Sequence, residues 1–277
     1  MSCSTFKRIL ILLLLFAILI TAACGGQGEV FISGPVLLRD TLASVDFGIV
    51  FRPGDTALRD KVWTTLQLLS EDGTVGRIAG RWFGADMTNI PPNMYGMQLL
   101  SDVQTRRLIV GFDPEMAPMS YQNNDGDFVG FDIDLAYALC AHLGWELELV
   151  PIDPALWALE LQSGSVDVLW GGIAMTADVL AHATSYVLPY MESRQVLVAM
   201  YDSGINTLRH LRGRTVALRL DSAAKQALEQ NPDFRNRLSG IILHETIHQS
   251  LDMLEEGLID AVIMDEVKAN YILGARR

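Results

Sequence analysis

Cysteine is scarce in this sequence: three in 277 residues, at positions 3, 24 and 140. That is too few for a disulfide framework, so the core must hold by apolar burial alone, and a chain of this length can bury enough. Past the first 23 residues, no apolar run approaches the roughly 20 residues that a membrane-spanning helix needs. Positive charge is in deficit as well. Lys and Arg number 21 against 33 Asp and Glu, for a formal net charge of −12. Such a surface argues against nucleic acid and against an anionic membrane surface. No nucleic-acid partner, cofactor or metal is expected.

What is present begins with an address. Lys7 and Arg8 make a short positive start, and Ile9 to Ala23 are then apolar except for Thr21. A charged start, a short apolar run and a small-residue exit describe an export signal. The exit, Ile20-Thr21-Ala22-Ala23-Cys24-Gly25-Gly26, resembles the bacterial lipoprotein signal. That resemblance implies cleavage before Cys24, a lipid on its sulfur, and a protein tethered to the outer face of the cell membrane. The mature chain is expected to be soluble apart from this anchor.

The rest alternates between helical and strand periods. Leu108 to Gly111 is a short apolar strand. Asp132 is placed to cap a helix whose apolar positions Leu135, Ala136, Leu139, Cys140 and Leu143 recur at three and four residues, with Gly144 ending it. Cys140 lies on the buried face of that helix. Trp145 to Val150 alternates as a strand with one wet face. Asp153-Pro154 opens a further helix, which Ser163-Gly164 stops, and Val166 to Trp170 is a strand. The same grammar repeats further on. Strands are expected at Thr215–Leu220, Gly240–His244 and Ile259–Met264, and helices at Ser222–Leu228, Ser250–Glu256 and Glu266–Leu273. This alternation implies an α/β fold with parallel strands and helices on both faces. Ligands of such sheets bind beyond the carboxyl ends of strands, where Gly171-Gly172, Arg219 to Ala223 and Asp265 fall. Residues 85–107 sustain no apolar face and read as a linker.

Several stretches, taken in order, resemble the family 3 extracellular solute-binding proteins: Gly111 to Tyr121, Val129 to Ala136, Ser163 to Asp167, Gly171 to Thr176, Leu188-Pro-Tyr190, Arg214 to Leu218 and Ile259 to Asp265. Each motif alone is weak, and their order carries the resemblance. It implies a two-lobed, type II periplasmic-binding-protein-like fold, with lobes joined by two crossing strands and a ligand between them. In the family, a crossing strand, a long helix and Trp-Phe-Gly follow the last of these motifs. Here their counterparts stand near the start: Phe47 to Asp55, a helix from Thr56 to Leu69 with the apolar stripe Leu58, Val62, Leu66 and Leu69, and Arg81-Trp-Phe-Gly84. The fold is therefore expected to be circularly permuted. Residues 1–23 are the lipoprotein signal peptide, and 24–44 with 194–277 form lobe II, including a strand from Glu29 to Pro35. Residues 45–193 form lobe I, with the linker 85–107 inside it.

A free amino acid brings two charges that must be paired when desolvated, so its site needs a carboxylate for the amine and commonly an arginine fork for the carboxylate. The resemblance makes Asp265 the amine partner, a position that also suits a cap for the following helix. The family's arginine is missing, because its position reads Val179 and no Lys or Arg occurs between Gly171 and Arg194. The family's serine is Ala174, and its covering aromatic is Met116. Asp113 matches a position that touches cationic side chains in some relatives, and Arg219 lies where it could supply a fork from lobe II. The expected ligand set is Asp113, Met116, Gly171, Gly172, Thr176, Arg219, Ser222 and Asp265, with no catalytic residue. Ser222 also opens a helix, and Tyr190 is expected to pack at the hinge.

The expected function is an extracytoplasmic solute-binding lipoprotein for an ABC importer. Its partners are a small polar ligand, with a cationic amino acid favoured by Asp113 and Asp265, and the transporter permease. Two alternatives share the scaffold. One is a dehydratase-like enzyme, whose need for positive charge at two carboxylates looks unmet between Gly171 and Arg194. The other is a sensor or vestigial binder that does not transport.

Overall fold

The computed structural model describes residues 34–91, 106–182, 187–220 and 222–275; Cys24, the strand expected from Glu29 and most of the expected linker lie outside them. In chain order the elements are β1 (Pro35–Phe51), α1 (Thr56–Glu71), α2 (Thr74–Phe83), β2 (Arg107–Phe112), β3 (Glu115–Met116), β4 (Ser120–Gln122), β5 (Phe128–Val129), α3 (Phe131–Leu143) and β6 (Glu146–Pro151). There follow α4 (Trp157–Ser163), β7 (Val168–Leu169), α5 (Ala177–His182), β8 (Val187–Met200), β9 (Thr215–Arg219) and α6 (Ala223–Glu229). The last are α7 (Pro232–Arg235), β10 (Gly240–His244), α8 (Ile247–Glu255), β11 (Ala261–Asp265) and α9 (Glu266–Ala275).

Eight strands form one sheet in the order β10-β9-β11-β8-β1-β7-β2-β6. Strands β10, β9 and β11 are parallel, as are β7, β2 and β6; the long antiparallel pair β8 and β1 stands between the two sets. Alternate residues of each strand enter different cores, as the two-residue period requires. In β1, Phe47, Ile49 and Phe51 pack with α1, α2 and α3, while Val50 faces Ile152, Leu161 and Val179. In β8 and β11, Val196, Val198, Val262 and Met264 enter one core, and Leu197, Ala199, Ala261 and Ile263 the other. Strands covered on both faces are apolar throughout, which explains the unbroken runs around Val196 and Val262.

The molecule thus has two lobes, each a layer of sheet between helices. Strands β1 and β8 serve both: Leu38 and Val196 lie in the cores of one lobe, and Phe47 and Tyr190 in that of the other; Val267 of α9 also packs into the lobe I core. Their pairing runs from Pro35↔Met200 to Val50↔Val187, with a register shift between Phe47 and Gly48.

Three local readings change. Strand β1 already begins at Pro35 and runs to Phe51, longer than the crossing strand expected from Phe47 onward. The Asp-Gly-Thr-Val stretch after α1 starts a second helix, α2, with Gly73 in the left-handed region at φ +78° ahead of it. The start of the expected linker is attached to the fold: Asn89 donates its amide to the Tyr190 carbonyl at 2.7 Å, and Ile90 is buried in the core.

Candidate functional site

A cavity of about 420 Å³ lies between the lobes, within the size range of small-molecule sites. Lobe I contributes Asp113, Met116, Gly172 and Thr176, and lobe II contributes Arg219, Ser222 and Asp265. These are seven of the eight ligand-site residues expected from the sequence. Gly171 stands behind them: a Cβ there would lie 2.6 Å from Phe112 Cβ and 2.7 Å from Ser120 Oγ, so that position needs glycine for close packing under the site. Gly172, at φ +65°, turns the chain into the cavity.

Arg219 and Asp265 are the last residues of β9 and β11, parallel neighbours paired through Val216↔Ala261 and Ala217↔Val262. Strand direction therefore delivers both side chains to the same end of the sheet. Arg219 reaches across the cavity, and its Nη2 donates to Asp113 Oδ2 at 2.6 Å. Both side chains are nearly enclosed, at 13% and 7% exposed. The other carboxylate oxygen of Asp113 accepts the Glu115 amide at 2.9 Å. Asp113 and Asp265 both line the cavity, and Arg219 pairs with Asp113 there.

Asp265 Oδ1 accepts the amides of Val267 at 2.9 Å and Lys268 at 3.4 Å, capping α9. Its Oδ2 accepts Gln195 Nε2 at 3.3 Å. Burial pushes its carboxyl up to about 6, against the pull of these backbone donors. Capping and facing the cavity coexist at this residue. Ser222 Oγ donates to the Arg219 carbonyl at 2.7 Å and accepts the Lys225 amide at 3.3 Å. It caps α6 while lining the cavity. Thr176 Oγ1 accepts the Val179 amide at 3.3 Å.

Val179 and Ala174 line the wall where the sequence lacks the family's polar pair. Ile152, Trp157 and Met116 extend that wall, so lobe I presents a largely apolar surface. Tyr190 is fully buried on the crossing strand β8 and donates to Asp132.

Two functional residues went unread. Lys268, one helical turn beyond Asp265, is 6% exposed, lines the cavity and donates from Nζ to the Glu115 carbonyl of lobe I. Burial, then the nearby Arg219, draws its ammonium down to about 8. The signal was its spacing: positions three apart share a helix face. Asp132 was assigned to capping, yet α3 begins after Gly130 and the Asp132 carboxylate points inward. Its Oδ2 accepts the Gly172 amide at 2.6 Å, and burial raises the carboxyl to about 7.

Polar contacts among the described residues join the lobes around the cavity: Arg219 to Asp113, Lys268 to Glu115, Gln226 Oε1 accepting the Ala177 amide at 2.9 Å, and the hydroxyls of Tyr121 and Tyr271 at 2.8 Å. Among the described residues, no His, Cys, Asp and Glu group is arranged to hold a metal ion, and no helix is long and apolar enough to cross a membrane.

Two α/β lobes, two crossing strands and a cavity between them define a type II periplasmic-binding-protein-like architecture. The model of the bacterial extracellular solute-binding proteins, family 3, matches residues 108–263, and this chain belongs to that family. It is 27% identical over 176 residues to the arginine-binding extracellular protein ArtP of Bacillus subtilis, a match covering 61% of this chain and 65% of that protein. It is 29% identical over 176 residues to the L-cystine-binding protein TcyJ of Escherichia coli, covering 62% and 64%. The chain thus spans slightly less than two thirds of the length of these curated relatives. An ABC uptake transporter substrate binding protein from Streptococcus pneumoniae with bound histidine superposes with a TM-score of 0.55 at 32% identity, covering 61% of this chain and 70% of that one. These relatives are named for binding, not for catalysis.

Proposed function

We propose that this protein is an extracytoplasmic solute-binding lipoprotein that closes on a small amino-acid-like molecule and presents it to the permease of an ABC importer. One observation carries the reading: seven residues singled out from the sequence converge from both lobes on a single cavity. Contacts from both lobes let a ligand favour the closed arrangement by its differential affinity for that state. The long pair β1 and β8 is suited to act as the hinge, and Asp113, Met116, Gly172, Thr176, Arg219, Ser222 and Asp265 are the proposed contacts, with Gly171 supporting the loop beneath. Cys24 is the proposed lipid attachment site, which would hold the protein at the outer face of the cell membrane.

A circularly permuted order accompanies this reading, with lobe I at 45–193 and lobe II made of 24–44 and 194–277. Its support is that elements preceding the family segment complete the family fold. Strand β1 inserts between β8 and β7, and Leu58, Val62 and Leu66 of α1 share a core with Leu108, Val110 and Trp170.

A thermal-shift screen of amino acids, polyamines and small carboxylates tests the binding function. A ligand at 100 times its dissociation constant adds about 2.7 kcal/mol of stability, and Asp265→Ala should abolish that gain. Absence of any stabilising compound would count against the reading.

A further inference from the structure

The ends of β9 and β11 carry opposite charges that do not pair with each other. Arg219 and Asp265, one register position apart on these neighbouring parallel strands, both line the cavity. Arg219 turns to Asp113 and Asp265 turns to the start of α9. Both retain hydrogen-bonding capacity. Among the described residues, Arg219 uses one of its five donors on Asp113, leaving the Nε and Nη1 edge without a protein partner. Asp265 Oδ2 accepts Gln195 Nε2 at a long 3.3 Å, and the Ser193 side chain is a further partner of this carboxylate. Lys268 adds a second cation on the same lobe.

The opposite wall offers no counterpart. Among the described residues, the lobe I lining around Val179, Ile152, Trp157, Ala174 and Met116 holds no cation, and its one carboxylate, Asp113, is already matched. Among the described lining residues, Asp113, Glu229 and Asp265 stand against Arg219, Lys225 and Lys268. A ligand with net charge would upset that balance, whereas a zwitterion would not. A ligand charge buried against the lobe I wall would go unpaired, which is costly.

Resting on the binding function proposed above, we infer that the site takes an α-amino acid with an uncharged, apolar side chain and holds both of its charges from lobe II. The carboxylate lies against the free edge of Arg219 with help from Lys268, and the ammonium lies against Asp265. The side chain enters the apolar lobe I wall at Val179. The residues of this chain thus invert the usual division of labour between lobes, and the loss of a lobe I arginine becomes a specificity feature.

Isothermal titration calorimetry with four probes tests this: L-leucine, isopentylamine (leucine without its carboxylate), 4-methylpentanoate (leucine without its ammonium) and L-arginine. The wild type should bind L-leucine at least ten-fold more tightly than each of the others. Arg219→Gln alone would leave Asp113 buried and unpaired, so the variant to use is the Asp113→Asn, Arg219→Gln pair, with its fold checked by circular dichroism. In that variant the advantage of leucine over isopentylamine should shrink to within about two-fold. Tighter binding of L-arginine than of L-leucine, or an unchanged leucine advantage in the folded double variant, would overturn the inference. Binding of none of the four probes would also overturn it; a hit elsewhere in the wider screen would then leave the binding function standing alone.

Discussion

Tyr190 donates its phenolic proton to Oδ2 of Asp132 at 2.6 Å, tying a crossing strand to the first turn of α3. The same oxygen accepts the Gly172 amide, so one carboxylate connects the crossing strand with the loop that faces the cavity. Burial raises the Asp132 carboxyl to about 7, against the pull of the Tyr190 hydroxyl, the Gly172 amide and the Trp170 side chain.

The first prediction follows from that proton. Because Asp132 is raised in the folded state, the fold binds the proton more tightly than the unfolded chain does. Its contribution to stability is therefore most favourable below the ordinary value of 3.8 and is lost as pH rises to about 7. Asp265, raised to about 6, acts in the same direction. Urea unfolding of wild type and Asp132→Asn across pH 4 to 8 separates the two. The stability difference should shift in favour of Asn as pH rises, and a difference independent of pH would refute this account.

Gly171→Ala should destabilise by about 1–3 kcal/mol, the usual cost of forcing volume into a packed core. The new methyl would meet Phe112 Cβ at 2.6 Å and Ser120 Oγ at 2.7 Å, and neither belongs to a long flexible side chain. Chemical denaturation should show a lower midpoint with an unchanged slope. Wild-type stability in this variant would mean that the loop is looser than drawn.

Leu66→Ala should cost about 2–5 kcal/mol, since Leu66 is fully buried beside β2 and α3. Leu159, 61% exposed on α4, is the control; Leu159→Ala should stay within about 0.5 kcal/mol of wild type. Equal, small effects on thermal stability would mean that α1 is not part of the lobe I core, and the proposed permutation would lose its main support.

Anchoring has a direct readout. Wild-type protein expressed with its first 24 residues should partition into detergent with the membrane fraction, and Cys24→Ser should release or misprocess it. Wild type recovered without lipid after cleavage elsewhere would end the lipoprotein reading.

Local sequence grammar determined much of this protein. The alternation of strands and helices, the stops at Gly144 and Gly164, the cap at Ser222 and the apolar stripe through Leu58, Val62 and Leu66 depend on neighbours within a turn or two, where periodicity and backbone preference act directly. The order of motifs was enough to gather the cavity residues, because parallel strands deliver their ends to one edge. Pairing across the cavity was beyond that grammar. Arg219 and Asp113 lie 106 positions apart, and only the packing of one lobe on the other decided that they meet, which neutralised a carboxylate assigned to the ligand. Tertiary structure likewise turned Asp132 from a helix cap into a buried link and brought Lys268 to the cavity. A charged side chain at a helix start looks the same in sequence whether it faces water or protein, and the difference is made by desolvation, which depends on everything folded around it.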